Sequence, residues 1–468
     1  MKIVLVQCPC SFGCEMPPLG LAYLASYLKK HNYDVVILDL SILLYERAAK
    51  EDKKYWLSSM GYSWYLTEVY KNLPFLSELL YDEFVSLILS LDSDLLGFSI
   101  QNTSALFTLE VIKRIKAKEP SKKIILGGPN CYNISADNDC FRLHHDLQNF
   151  SDIIVIGEGE SILLNVVRNL ENKLPLDECK GIVVKKKEKW HFTGYAQPIT
   201  DIDNFPFPDF SLFNINAYTD KSALPILTSR GCVMKCVFCT DTHFWMPYRY
   251  RSSNNVIMEM EENLEKYKNH SFSFNDSLIN GSYSALLNTC NLIIKKNISI
   301  HWGGNFRIDK RADLIMLKKM KTAGCEYINI GIESASNKVL KLMRKGFTIE
   351  DAENFINTCN KAGIRIIANW IIGFPGEEDE DFMATVEFIK RNNNLISRNT
   401  FSVLAINQFS YLERHKEEFG VILNGDHLGL WYSSDGKNTI EVRSSRLKCV
   451  ENMESQRSKE YSIVRQTT

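Results

Sequence analysis

No run of about eighteen apolar residues occurs in the 468-residue chain, so no segment is predicted to cross a bilayer as a helix. Net charge is nearly absent too. Its 55 lysines and arginines against 56 aspartates and glutamates leave -1, which gives neither nucleic acid nor an anionic membrane a bulk electrostatic hold. The opening run Met1–Gln7 is strand-like and lacks the cleavage-site flank of a secretory signal. An extracellular disulfide framework is excluded because the 13 cysteines are odd in number and irregularly spaced, so reduced thiols in a cytoplasmic protein are expected. Disorder is excluded by composition: 45% of residues are apolar and 24% charged, enough for full-sized cores. The length calls for two or three domains.

Three cysteines stand together at Cys232, Cys236 and Cys239, in the run Gly231–Cys239. Zinc sites prefer paired knuckles, and no second pair follows at a ribbon-like distance. A four-iron cluster normally takes four thiolates, so a loop that supplies three leaves one iron without a protein ligand. The competing reading is a buried turn with three structural cysteines. The apolar lead-in Leu224–Leu227 and the aromatic Phe238 just before the last cysteine complete a segment that resembles the radical S-adenosylmethionine (SAM) superfamily. The resemblance implies a [4Fe-4S] cluster on the three cysteines, with the amino and carboxylate groups of SAM on the open iron. An electron from the cluster would then break a carbon–sulfur bond, giving methionine and a 5′-deoxyadenosyl radical. It also implies an electron donor of flavodoxin or ferredoxin type.

Residues 1–173 read as strands alternating with amphipathic helices. Strands are predicted at Ile3–Gln7, Asp34–Leu40, Asp94–Ile100, Lys123–Leu126 and Asp152–Ile156, with a mostly helical insertion over residues 41–92. Pro17-Pro18 opens a helix that ends in Lys29-Lys30-His31, in keeping with the missing proline amide and the helix dipole. Such alternation predicts a doubly wound, Rossmann-like parallel sheet with its ligand at the carboxyl ends of the strands. The loops there are Cys8–Pro18, Gln101–Ser104, Gly127–Asn130 and Gly157–Glu160; singly, each also reads as a tight strand–helix turn. Together Pro17–Leu21, Leu126–Pro129 and Gly157–Glu160 resemble the cobalamin-binding domain that precedes many radical SAM enzymes. That resemblance implies cobalamin contacts at Pro18, Leu19, Gly20, Asn102, Gly127, Gly128, Pro129, Gly157 and Glu158. The D-x-H-x-x-G pattern that offers an axial histidine is missing: the domain holds only His31, His144 and His145, none in the loop after the first strand. Cobalamin binding without an axial histidine is therefore expected. Cys8, Cys10 and Cys14 in that first loop are either metal or cobalt ligands, a redox-active trace, or small buried fillers.

Residues 174–221 are expected to form a linker: the basic run Lys185–Lys187 suggests a solvated hairpin, and prolines alternate with aromatics in Asp201–Phe210. Residues 222–408 repeat strand, loop and helix about six times. Strands are predicted at Leu224–Ser229, Ser271–Asn275, Ile298–Gly303, Tyr327–Ile330, Arg365–Ile372 and Thr400–Ala405. The resemblance implies an open (β/α)₆ barrel, a fold whose site lies at the carboxyl ends of its strands. At those ends it implies Asp276 and Asn280 for the SAM amino group, and Glu333 and Ser334 of Gly331–Ser334 for ribose hydroxyls. Adenine would lie at Ile371 and Gly373 of the run leading into Phe374-Pro375-Gly376, and Phe238 and Arg307 complete the set. Arg307 pairs with the cofactor carboxylate or contacts substrate, against the competing reading of a surface salt bridge. Asp276 and Asn280 serve equally as an Asx turn. Gly331–Ser334 followed by Lys345-Gly346 resembles the subgroup that pairs with cobalamin or with methylthio transfer. Residues 409–468 are expected to be a small cap and a frayed end.

These resemblances imply a cobalamin-dependent radical SAM enzyme, a methyltransferase acting on an unactivated carbon of a peptide or natural-product substrate. One SAM would methylate cobalt and another would yield the radical. The alternatives are a radical catalyst of cyclisation, rearrangement or oxidation; a methylthiotransferase, disfavoured by the tight Cys8–Cys14 spacing; and a non-catalytic cobalamin or redox sensor. No nucleic acid and no membrane are expected as partners.

Overall fold

The computed structural model describes residues 1–132, 145–186, 189–220, 223–424 and 430–467; His144, Lys187, Ser222 and the side chain of His145 lie outside what it describes. The chain divides into two units, Met1–Pro225 and Ile226–Thr468. No helix among the described residues is long and apolar enough to cross a membrane.

The first unit holds β1 (Lys2–Gln7), β2 (Asp34–Asp39), β3 (Leu95–Ser99), β4 (Lys123–Gly127), β5 (Ile153–Val155), β6 (Ile182–Lys186) and β7 (Lys189–Phe192), in the order β2-β1-β3-β4-β5-β6-β7. β1 to β5 are parallel. Side chains on a strand alternate between faces, and here both faces are covered. Ile3 and Leu5 join Leu21 and Leu28 of the helix Leu19–Lys30 and Val166 of the helix Gly159–Glu171. Val4 and Val6 join Phe84 of Glu78–Ser90 and Phe107 of Ala105–Lys118. A strand buried on both sides needs no polar alternation, which is why β1 reads as a continuous apolar run. The strand order reverses at β1, so the loops after β1 and β3 flank a crevice at the carboxyl edge. The insertion over residues 41–92 adds aromatics to the core under that second face, with Trp56 5.2 Å from Trp64 and 4.9 Å from Phe75 between ring centroids.

The stretch expected as a linker, residues 174–221, lies wholly within this unit. β6 pairs antiparallel with β5 and β7 with β6, extending the sheet. Ile182, Val183 and Val184 are buried there, and three consecutive β-branched residues gain more from the sheet's apolar faces than from water. Further along, the Tyr218 hydroxyl donates to Asp39 Oδ2 at 2.7 Å and the Thr219 amide to the Cys14 carbonyl at 2.8 Å.

The second unit's sheet starts at β8 (Ala223–Ile226), and the division between units falls inside that strand. Next come β9 (Ser229–Arg230) and β10 (Arg249–Tyr250), a short antiparallel ladder. β11 (Ser271–Phe274), β12 (His301–Phe306), β13 (Cys325–Glu333), β14 (Arg365–Ile372) and β15 (Arg398–Val403) follow as parallel strands, with the sheet order β15-β14-β13-β12-β11-β8. Helices lie between successive strands, several with side-chain caps; Thr348 and Asp351 form a capping box. This is the expected open (β/α)₆ arrangement. β12 begins later than the sequence suggests, because Ile298 still belongs to the preceding helix end: its amide donates to the Ile293 carbonyl.

The C-terminal segment is more ordered than expected. β16 (Val421–Leu423) and β17 (Trp431–Ser433) form a hairpin, and Ile440–Thr467 is one helix of 28 residues. Leu447, Val450 and Met453, spaced three apart on one helix face, pack with Ile372, Phe382 and Val386.

Candidate active site

The cysteine loop follows β8 and β9 and is held at its centre. Val237 is fully buried; its amide donates to the Met343 carbonyl at 3.2 Å, and its own carbonyl accepts from the Leu412 amide at 2.8 Å. The Cys239 amide closes a turn onto the Cys236 carbonyl at 3.2 Å. All three thiols are half-buried. Among the described residues no group of three His, Cys, Asp or Glu side chains converges as a single metal ion would need. A cluster takes one thiolate at each of its separate irons, and three half-buried thiols on one loop suit that demand. Burial pushes the Cys232 and Cys236 thiols up, and pushes Cys239 up to about 12 with the Asp241 charge adding. Such thiols become thiolates when a bound metal supplies the positive charge.

Lys345 stands beside this loop, a residue that the sequence marked only as part of a family pattern. Its Nζ donates to Glu333 Oε1 at 3.1 Å, with both side chains 11% exposed. It also lies 5.8 Å from the centroid of the Phe238 ring, between Cys236 and Cys239. Against the effect of burial, the charges of Lys345 and Arg307 favour the Cys236 thiolate. Burial works against the lysine's own charge, but Glu333 and the cysteines more than offset it, so its pKa is raised. Glu333 sits in the left-handed region at φ 70, where β13 shifts register against β14. Its carboxylate folds back over Gly331, where a Cβ would run into Glu333 Oε1 and displace the carboxylate from this position. A buried carboxylate on strained backbone, paired to a buried cation, is the arrangement expected of a ligand-binding residue. Ser334 is fully buried and its hydroxyl accepts from the Ser336 amide at 3.2 Å. Arg307 Nη1 lies 3.5 Å from Asp309 Oδ2, Nη2 lies against Gly346, and Nε is buried without a hydrogen-bond partner among the described residues.

Asp276 and Asn280 reach the same strand ends, but their polar atoms turn inward. Asp276 is fully buried and accepts from the Thr228 amide at 3.0 Å, the Thr228 hydroxyl at 2.7 Å and the Ser229 hydroxyl at 2.5 Å. Asn280 accepts from the Arg307 amide and donates to the Arg307 carbonyl, both at 2.9 Å. The geometry makes both of them positioning residues. Asp276 ties β11 to the entry of the cysteine loop, and Asn280 ties the β11 loop to Arg307. Asp276→Ala leaves several buried donors without an acceptor and is expected to cost about 2–4 kcal/mol of stability, measurable by urea denaturation. A loss below about 0.5 kcal/mol, the range of an ordinary surface change, would contradict this placement.

After β14 the chain turns sharply. Ile371 is half-buried, Phe374 is fully buried, and the Gly373 amide donates to Glu377 Oε2 at 2.8 Å. Burial pushes the Glu377 carboxyl up to about 7, opposed by the charge of Arg446. Nothing in the sequence singles out Arg446 or its neighbour Arg443, because no local pattern ties residues so far along the chain to this turn.

The sites expected for cobalamin gather at the carboxyl edge of the first sheet. Pro18, Leu19 and Gly20 open the helix Leu19–Lys30, and Asn102 opens a short turn after β3. Gly127 ends β4 and Gly128 and Pro129 follow it, and Gly157 and Glu158 lead into the helix Gly159–Glu171. Gly20, Asn102 and Pro129 are exposed, and a Cβ on Gly20 or Gly157 would meet nothing within 4 Å. Open backbone at a switch point fits a broad flat macrocycle. His31 ends the first helix, remote from its opening turn, where Arg168 Nη2 lies 3.3 Å from its Nδ1. Cys8, Cys10 and Cys14 are buried beneath this edge, and burial pushes their thiols up to about 12, 12 and 11. Of the readings open for them, buried filling fits these surroundings.

Comparison with known proteins agrees with both halves. The B12 binding domain family matches residues 10–167, and the radical SAM superfamily matches residues 226–389. An uncharacterized methyltransferase of Pyrococcus horikoshii is 27% identical over 405 residues, 84% of this chain and 78% of that one. The anaerobic magnesium-protoporphyrin IX monomethyl ester cyclase of Rubrivivax gelatinosus is 26% identical over 398 residues, 80% of this chain and 62% of that one. In fold, the radical S-adenosylmethionine methyltransferase TsrM of Kitasatospora setae, solved with cobalamin and a [4Fe-4S] cluster, matches with a TM-score of 0.67 at 18% identity, covering 90% of this chain and 76% of its own. A radical SAM domain takes a [4Fe-4S] cluster with SAM, and a B12-binding domain takes cobalamin, groups that suit the cysteine loop and the open backbone edge described above. The chain joins a B12-binding domain to a radical SAM domain and belongs to the cobalamin-binding branch of the radical SAM superfamily.

Proposed function

We propose that this protein is a cobalamin-dependent radical SAM methyltransferase that modifies an unactivated carbon of a peptide, natural product or other small molecule. The observation that carries the reading is a cysteine loop backed by the buried Lys345–Glu333 pair in the same chain as a B12-binding domain. When bound, the cluster with SAM supplies a 5′-deoxyadenosyl radical and cobalamin supplies a methyl group. The protein's own part is to bind, orient and exclude water. Cys232, Cys236 and Cys239 hold three irons. Lys345 and Arg307 offer cations to the SAM carboxylate; Glu333 offers an acceptor to ribose hydroxyls, and Ser334 shapes the turn that follows it. Ile371 and Phe238 supply apolar surface for adenine beside the Gly373 turn, while Asp276 and Asn280 keep these loops in register. Pro18, Leu19, Gly20, Asn102, Gly127, Gly128, Pro129, Gly157 and Glu158 line the corrin. The enzyme works in the cytoplasm with a flavodoxin or ferredoxin type of electron donor, and without a nucleic-acid or membrane partner.

A second reading, cyclisation, rearrangement or oxidation without methyl transfer, is favoured by the 26% identity to a cyclase. Anaerobic reconstitution with iron, sulfide and cobalamin, followed by reduction with SAM and candidate substrates, separates the two. Methyl transfer gives S-adenosylhomocysteine and 5′-deoxyadenosine together. 5′-Deoxyadenosine alone, with substrate consumed, gives the second reading. Bound cobalamin with no cleavage of SAM would overturn both and leave a sensor.

A further inference from the structure

We infer that the C-terminal segment Trp431–Arg446, beyond residues 226–389 matched by the radical SAM family, positions the Gly373 turn and so sets the affinity for the nucleoside part of SAM. The inference rests on the reading of that turn as the adenine site. Gly373 has φ 79 and is pressed by the Arg443 side chain, so that a Cβ there would overlap Arg443 Cγ and Cδ. The Gly373 amide is taken by Glu377 Oε2, whose counter-charge is Arg446 Nη1 at 2.8 Å, with the Glu377 side chain 1% exposed. The Gly373 and Phe374 carbonyls accept from Asn438 Nδ2 at 3.1 and 3.3 Å. Asn438 is itself held by Arg443 Nη1, which donates to its Oδ1 at 3.0 Å, and the Arg443 guanidinium lies 4.0 Å from the centroid of the Trp431 ring.

Each of these polar backbone groups is thus met, directly or through Glu377, by a side chain from the C-terminal segment. Burying two arginines and a carboxylate is costly, and apolar packing of equal volume would often stabilise as well or better. What apolar residues cannot do is fix the direction of an amide and two carbonyls at the end of β14. Held in this way, the turn fixes the course of the backbone that leaves Ile371, and with it the surface on which adenine would lie, since hydrogen bonds depend on orientation.

The test uses the full-length holoenzyme loaded with cluster and cobalamin, comparing Arg446→Met, Arg446→Lys and Asn438→Ala with the parent. Equilibrium dialysis against radiolabelled SAM reads affinity, and iron content, corrin absorbance and the electron paramagnetic resonance of the reduced cluster without SAM read integrity. Arg446→Met and Asn438→Ala are expected to weaken SAM binding about tenfold, a change of about 1.4 kcal/mol. Cluster and corrin signals should stay as in the parent, and Arg446→Lys should recover part of the affinity. Asn438→Ala breaks no ion pair, and Arg443 keeps the Asn438 and Trp431 carbonyls as acceptors, so this variant keeps the test sound if Arg446→Met does not fold. SAM affinity within twofold of the parent in a folded, cluster-loaded variant overturns the inference alone. A parent holoenzyme that binds no SAM overturns it together with the functional reading beneath it.

Discussion

Cys236→Ala is expected to abolish release of 5′-deoxyadenosine from SAM, by more than about a thousandfold, the scale on which an essential reacting group is lost. A cluster that keeps one iron open is held by only three thiolates, and the variant removes one of them. The fold should tolerate the change. The loop is pinned through the Val237 amide and carbonyl, neither of which involves the thiol, and Cys236 is only half-buried. Circular dichroism and cobalamin content should therefore match the parent, while iron content and the absorbance of the cluster fall. A Cys236→Ala protein that still forms 5′-deoxyadenosine at near the parent rate would refute the assignment of the cysteine loop.

The second large effect is expected at the Lys345–Glu333 pair. Removing one member of a buried ion pair leaves an uncompensated charge and typically costs about 3–5 kcal/mol. Lys345→Met should therefore be strongly destabilising, with Glu333 left charged on left-handed backbone. Lys345→Met combined with Glu333→Gln should recover much of that loss, because no charge then remains to be desolvated. SAM affinity should behave differently. It should stay weakened in the double variant, since neither the cation nor the carboxylate is restored. Urea denaturation of the parent, the two single variants and the double variant, set against SAM dialysis on the same samples, separates the two effects. A cost for Lys345→Met in the range of an exposed pair, about 0.2–1 kcal/mol, would show that the pair does not carry a buried charge. Parallel recovery of stability and affinity in the double variant would remove the lysine from the binding site.

Features set by short windows of sequence match the structure well. β14 has the limits Arg365–Ile372 that its apolar run suggests, and β1, β2 and β4 lie within one residue of theirs, because parallel strands between helices announce themselves as short, largely apolar runs. The helix Ile349–Ala362 is legible from Thr348 and Asp351, whose capping bonds span three residues. The cysteine spacing and the order of the strand-end motifs are likewise properties of short windows, and they carry both cofactor resemblances. The differences arise where a short window holds no information. β6 and β7 read as part of a linker because a hairpin's membership of a sheet depends on what lies beside it, here β5. The charge-rich C-terminal stretch reads as a small cap whose last fifteen or so residues fray, and no short window shows that Leu447, Val450 and Met453 find a groove lined by Ile372, Phe382 and Val386.

The site divides in the same way. By itself the sequence determined which residue types reach the carboxyl ends of the strands: three thiols, a G-x-E-S turn, and a G-F-P-G turn. Tertiary structure alone decided which of their atoms face outward. Asp276 and a ligand-binding aspartate look identical as letters, and only the proximity of Thr228 and Ser229 turns its carboxylate inward. Lys345 became part of the site through a contact with Glu333 across a helix, and Arg446 through one with Glu377 across 69 residues. Side-chain type follows from the gene, but the direction of a hydrogen bond follows from which neighbours the fold has brought within reach.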